Sequence, residues 1–136
     1  IILKSGRHVK ELSQGFHLTT NNRMELMAVI VGLETIKVPG AHVTIHSDSR
    51  YVVDSVTKNW IYGWVRKGWK DVKNPDLWKR YLEISKKHHI RFIWVRGHNG
   101  HPENERCDVL AVNAATGRDL EHDSWYEENM SDNGLF

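Results

Sequence analysis

The sequence predicts an α/β fold, with helices packed on a sheet. Two observations point there. Stretches of strand-like alternation are separated by stretches whose apolar residues recur at helical spacing, in the order strand, strand, helix, strand, helix, helix, helix, strand, helix. The length of 136 residues, with 40% hydrophobic and 26% charged residues, is that of one soluble domain with a real core.

Taken in order, "IILK" and "HVKELSQGFHLT" flank the turn "SGR" and read as an antiparallel hairpin. In "TTNNRMELMAVIVGLETIK", Thr20, Asn21 and Asn22 are N-cap candidates. Met24, Met27, Ala28 and Val31 recur at helical spacing, and Leu26, Ile30 and Leu33 widen the apolar face into that of a buried helix, which "VPG" ends. "AHVTIHSD" is a short strand with Val43 and Ile45 on one face, and "SRYVVDSVTKN" is a second helix. A short helix over 60–66, a basic loop through Lys73 and a helix opened by Pro75 follow. "IRFIWVRG" reads as a strand, and "PENERCDVLAVNAATG" as a helix with Pro102 in its first turn and Gly117 as its stop. There is no repeat, linker or low-complexity tract.

No apolar run approaches the roughly 18 residues of a membrane span, and no signal-peptide core is visible after Ile1-Ile2-Leu3. Cys107 is alone, which excludes internal disulfides and a cysteine-based zinc site and favours a reducing, cytoplasmic setting. The net charge of +2 hides an asymmetry: residues 119–136 carry −6, leaving +8 for the preceding 118 residues. A basic body suggests an anionic partner, although a solvated surface with a polar terminus explains the same charges. The acid-rich end is expected to be a mobile tail.

Three carboxylates fall where α/β folds place their chemistry. Glu25 is in the first turns of a helix, Asp48 at the carboxyl end of a strand, and Asp108 inside the last helix. Grouped carboxylates repel one another unless a divalent cation neutralises them, and all-oxygen ligation suits Mg²⁺ or Mn²⁺. Singly, each has a plainer reading. Glu25 could serve the helix dipole, Asp48 could cap the next helix, and Asp108 could be exposed or paired with Arg106 or Arg118. His98-x-x-His101 lies in a Gly-flanked loop without the i, i+4 zinc spacing. A loop histidine beside carboxylates suits proton transfer or product release. Cys107 reads as a small buried residue.

Residues 58–80 hold a local charge of +5 and four of the six tryptophans. Cations interleaved with flat rings suit a nucleic-acid backbone. Equally, the tryptophans can anchor the excursion to the core while the lysines stay wet. Both are expected, with Trp60 and Trp64 packing inward while Lys67 and Lys70 face the ligand.

Together, "TTNNRMELMAVIVGLE", "HSDSRYV", "WIYGWVRKGWK", "NPDLWKR" and "WVRGHNGHPENERCDVLA" closely resemble bacterial-type ribonuclease H of type 1, from about Thr19 to Asn113. The strings "NNRMEL" and "GHxGHPENERCD" are highly specific. The resemblance implies a ribonuclease H-like fold, a central mixed sheet flanked by helices, over residues 1–118. It implies endonucleolytic hydrolysis of the RNA strand of RNA–DNA hybrids, leaving 5′-phosphate and 3′-hydroxyl ends. Glu25, Asp48 and Asp108 resemble the family's metal-binding carboxylates, and His98 its mobile loop histidine. Thr20 and Asn21, with Asn22 beside them, resemble substrate-contacting positions. Residues 58–73, with Trp60, Trp64, Lys67, Trp69 and Lys70, resemble a shortened basic protrusion that grips the hybrid. Arg50 stands at another substrate-contacting position of the family, where it departs from the frequent Gln. Two Mg²⁺ or Mn²⁺ ions would assist an in-line displacement, and the 2′-hydroxyl would mark the RNA strand. A monomer without an obligate protein partner or membrane is expected.

The family opens with a strand carrying "TDGS" or similar, whose Asp bridges both metals, and Ile1-Ile2-Leu3 resembles the second strand. The chain is therefore expected to be a fragment of a longer protein. Alone it is expected to be unstable and inactive, since each buried orphan of a missing strand costs roughly 1–3 kcal/mol. Two other classes fit: a non-catalytic hybrid- or duplex-binding module that has lost its first Asp, and the nuclease domain of a reverse transcriptase or integrase-like polyprotein. Metal-dependent cleavage separates the first from the enzyme, and the upstream coding sequence separates the second.

Overall fold

The computed structural model describes residues 1–97 and 100–132. In chain order the elements are β1 (Ile2–Ser5), β2 (His8–Glu11), β3 (Gly15–Phe16), α1 (Asn21–Thr35), β4 (His42–Ser47), α2 (Arg50–Thr57), α3 (Trp60–Arg66), α4 (Pro75–Ser85), β5 (His89–Trp94), α5 (Pro102–Thr116), β6 (Leu120–Glu121) and α6 (Ser124–Asp132). The alternation of strands and helices is as the sequence predicts. Pairing is mixed: β1–β2 is antiparallel, whereas β3–β6 and β4–β5 are parallel, and these are three separate two-stranded pieces among the described residues.

Local signals explain most boundaries. Thr20 caps α1, its hydroxyl accepting from the Arg23 N–H at 3.2 Å, and Ser49 caps α2 through Val52 N–H at 3.2 Å. Pro75 and Pro102 open α4 and α5, where a missing N–H leaves nothing unpaired. Asn59 and Asn74 precede α3 and α4 in the left-handed region that asparagine tolerates.

The core lies where α1, α2, α3 and α4 meet the inner face of β4–β5. Trp78, fully buried, sits at its centre against Trp64, Tyr51 and Tyr81, with ring centroids 5.6, 5.9 and 5.7 Å away. Leu26, Ile30, Leu33, Val52, Ile61 and Leu77 close round it, and Val43, Ile45, Ile90 and Phe92 cover it from the sheet. The buried stripe of α1 is Leu26, Val29, Ile30 and Leu33, and the Met24–Val31 set is only half-buried. The other face of α1 meets β1 at Gly32, where Ile1 and Leu3 leave ordinary contact distance for a Cβ. α5, by contrast, buries none of its residues.

Three expectations are corrected. The second arm of the N-terminal hairpin ends at Glu11; Gly15–Phe16 turns away to pair with β6, and a Cβ on Gly15 would lie 2.2 Å from the Ala114 carbonyl oxygen. The acid-rich end is not a free tail through residue 132: it forms β6 and α6, because Asp123 is drawn into the core by a buried arginine. Trp60 does not pack inward. It is 46% exposed beneath the Lys58 ammonium, and Ile61 takes the inward position with Trp64 at the i, i+3 spacing.

Candidate active site

The carboxyl end of β4 delivers Asp48, half-buried, directly ahead of the α2 cap. Glu25 projects from the second turn of α1, and Asp108 from the middle of α5. Glu25 opens to solvent, but its carboxyl pKa is raised: crowding by the surrounding chain removes water from it, and the Asp48 and Asp108 charges repel its own. Three elements far apart in sequence thus bring their acids into one electrostatic neighbourhood.

Asp48 is held from several sides. Its Oδ2 accepts from Asn104 Nδ2 at 3.2 Å, so the first turns of α5 reach across to β4. Its backbone carbonyl accepts from Trp94 Nε1 at 3.2 Å. Gly97 passes so close that a Cβ there would stand 3.1 Å from Oδ2. Replacing Gly97 by Ala is expected to displace that carboxylate by a few tenths of an ångström and lower kcat about tenfold, with the melting temperature little changed; steady-state cleavage and a thermal melt check it. Asn104 and Gly97 escaped the sequence reading. The signal for Asn104 is its place one turn before Asp108 on α5, which puts both on one helix face.

His98 lies outside the described residues. His101 is the N-cap of α5, its Nδ1 accepting from Asn104 N–H at 3.1 Å. A nitrogen that accepts carries no proton, so its approach to Glu103 at 3.8 Å is not an ion pair in this state. Cys107 is half-buried. Arg106 is taken by Glu11 at 2.8 Å.

Thr20 caps α1, with Asn21 and Asn22 exposed beside it. Arg50 is exposed at the start of α2. The basic arm leaves α3 through Gly68 and Trp69, both in the left-handed region, an unusual place for a tryptophan. Trp69 is steadied by packing on the core and by the Lys79 ammonium 5.7 Å over its ring. Trp64 belongs to the core side. Arg80 is paired with Glu34 and Lys58 with Asp54, whereas Arg66, Lys67, Lys70 and Lys73 are exposed and in no ion pair among the described residues.

The donor set is carboxylate oxygen throughout, which suits a hard divalent cation. Among the described residues no three His, Cys, Asp or Glu side chains close into a shared cage. No helix among the described residues is long and apolar enough to cross a membrane.

A family model described as RNase H matches residues 1–116. The chain is 54% identical over 125 residues to a protein named ribonuclease H from Lachnoclostridium phytofermentans, covering 88% of this chain and 78% of that one. It is 52% identical over 131 residues to one from Rippkaea orientalis, covering 93% and 80%. A crystal structure of a type 1 RNase H with the type 2 active-site motif superposes with a TM-score of 0.66 at 36% identity, over 79% of this chain and 57% of that one.

Proposed function

This chain belongs to the ribonuclease H family, and we propose that it serves an endoribonuclease that hydrolyses the RNA strand of RNA–DNA hybrids. The observation that carries the proposal is the convergence of Glu25, Asp48 and Asp108 from α1, β4 and α5, close enough that two of them raise the pKa of the third.

Glu25, Asp48 and Asp108 would hold Mg²⁺, or Mn²⁺, two ions in the full cycle. When bound, the ions would supply charge neutralisation at the phosphate and make a bound water easier to ionise. The chain's own residues do the rest. Asn104 and Trp94 fix the Asp48 carboxyl and its backbone, so that the site is set before substrate arrives. The arm's exposed Lys67 and Lys70 meet phosphates and give affinity without sequence preference. Trp60, exposed at the root of the arm, and Trp69 offer ring surface to sugars and bases. Thr20, Asn21 and Asn22, at the start of α1, would contact the hybrid, where the 2′-hydroxyl distinguishes RNA from DNA. His98 is proposed to carry the proton to or from the reacting oxygens. Water adds to phosphorus, the bond to the 3′-oxygen breaks, and that oxygen leaves protonated, giving 5′-phosphate and 3′-hydroxyl ends. The lone Cys107 fits a cytoplasmic setting, and we take the working unit to be a monomer.

The test is digestion of an end-labelled RNA–DNA hybrid by the natural protein in Mg²⁺. Cutting confined to the RNA strand, with a 5′-phosphate at each new end and loss of cutting on chelation, is the expected result. Hybrid binding without any cutting would favour the binding-module reading instead.

A further inference from the structure

His17 and His122 face each other at the carboxyl end of the β3–β6 pair. Phe16 pairs with Glu121, and the ladder runs one step further, since the His17 N–H donates to the Glu121 carbonyl at 2.9 Å. In parallel strands that step sets His17 opposite His122, with both side chains on one face. Alternation then explains why the next residue, Asp123, turns inward to Arg23 while His122 stays exposed. The two imidazole rings lie with centroids 4.6 Å apart and 31° between their planes.

Glu127, from the first turn of α6, completes the group. Its carboxylate oxygens lie 3.0 and 3.3 Å from Nδ1 of His122. A carboxylate only accepts, so Nδ1 carries the hydrogen and the neutral ring presents its lone pair at Nε2. A histidine oriented through one nitrogen by a carboxylate, with the other nitrogen open, is the arrangement that metal-binding histidines adopt. His17 is exposed, and no hydrogen bond engages its ring among the described residues. Imidazole nitrogens suit Zn²⁺, Ni²⁺ and Cu²⁺, whereas Mg²⁺ prefers oxygen. The charge of −6 over residues 119–136 favours a cation here.

We propose that His17 and His122 bind one divalent transition-metal ion of this imidazole-preferring class, with Glu127 as the positioning residue and water in the remaining positions. Two ligands are fewer than the three of a closed cage, so the site is an open one on the surface. The ion clasps β6 and α6 onto β3, elements more than a hundred positions apart in the chain, and so helps to hold Asp123 at the buried arginine. It draws on none of the carboxylates read as the Mg²⁺ site, and it stands whether or not the nuclease reading does.

The test is a calorimetric titration of the natural protein with Zn²⁺ in excess Mg²⁺, followed by thermal melts, for wild type, H17Q, H122Q, E127Q and H42Q. H42Q is the comparison: His42 and His89 also stack at 4.6 Å, across β4–β5, but neither has a carboxylate hydrogen-bonded to it among the described residues. Wild type is expected to bind one Zn²⁺ here, and to melt about 5–10 °C higher at a hundred times Kd. H17Q and H122Q should each weaken binding more than tenfold and lose the gain in melting temperature. E127Q should weaken it about tenfold with its metal-free melt unchanged, and H42Q should bind as wild type does. No Zn²⁺ binding by wild type, binding that survives both H17Q and H122Q, or an equal loss in H42Q would overturn the proposal. Both histidines are exposed, so the two exchanges leave the fold in place, which the metal-free melts check.

Discussion

Asp48→Asn in the natural protein is expected to cut the rate of RNA-strand cleavage on the order of a thousandfold and to leave hybrid binding intact or tighter. Removing one carboxylate from the site forfeits several kcal/mol of stabilisation of the charge that develops at phosphorus, and each 1.36 kcal/mol is tenfold in rate. Binding takes the opposite sign, since Asn removes a negative charge that faces an incoming phosphate. Glu25→Gln should fall with it in rate and also raise the melting temperature at neutral pH. The sign follows from the pKa of Glu25, which is raised in the folded state by the surrounding chain that strips water from it and by the Asp48 and Asp108 charges. A raised acid favours the folded state fully below its unfolded pKa, and that contribution is lost as the pH climbs through the folded pKa. Above that folded pKa an ionised Glu25 is a burden that Gln removes, which is how a site built for chemistry trades against stability. Single-turnover cleavage, anisotropy with labelled hybrid and a melt at pH 7 check the three effects together. Near wild-type cutting by Asp48→Asn would remove that residue from the chemistry. A matching loss of binding would make its role structural.

The parts of this picture that the sequence made legible are those written in local chemistry. Thr20, Ser49, Pro75 and Pro102 mark the starts of α1, α2, α4 and α5 because capping and a missing N–H act within one turn. Glu25, Asp48 and Asp108 could be gathered on paper because two lie early on or within helices and one at a strand's carboxyl end. What stayed hidden depends on partners far away in the chain. Gly15–Phe16 pairs with a strand more than a hundred positions on, and nothing in "SQGFHL" says so. Trp60 and Ile61 compete for one inward position on a two-turn helix, and the larger residue lost, since only the packed core decides which face turns in. Arg23, third in "NNRMEL", carries no local sign of burial, yet it is 1% exposed.

Arg23→Met is the substitution expected to cost the fold most, about 3–5 kcal/mol. The guanidinium donates through Nε and Nη2 to Asp123 at 2.7 and 2.9 Å, and through Nη1 and Nη2 to Asp76 at 2.9 and 2.8 Å. Nη1 also reaches Asn74 Oδ1 at 3.3 Å, Thr19 donates its hydroxyl to Asp123 at 2.7 Å, and the face of Trp125 lies 4.7 Å from the guanidinium carbon. Burial by itself would lower the pKa of Arg23, but the hydrogen bonds to Asp76 and Asp123 and their charges raise it instead. Methionine fills much of the volume and supplies none of the donors, so Asp123 would be left buried without its cation. Against a typical total of about 5–15 kcal/mol, that loss is a large share of stability. Asp123 supplies an independent test through pH. Burial alone would raise its pKa, yet the hydrogen bonds from Arg23 and Thr19 and the Arg23 charge hold it below the usual aspartate value of 3.8. A depressed acid stabilises the fold fully above its unfolded pKa, and that contribution is lost as the pH falls through the folded one. Denaturant unfolding should therefore show wild type well above Asp123→Asn at pH 7, with the gap closing below about pH 4. A cost for Arg23→Met under about 1 kcal/mol, the range of exposed pairs, would mean the cluster is no better than a surface contact. The cluster also ties the start of α4 to the start of α1. Asp76 and Asn74 stand where the arm returns into α4, and Thr19 precedes the cap of α1 that leads to Glu25. Loosening Arg23 should thus reach catalysis as well as stability, by letting the arm and the acids move apart.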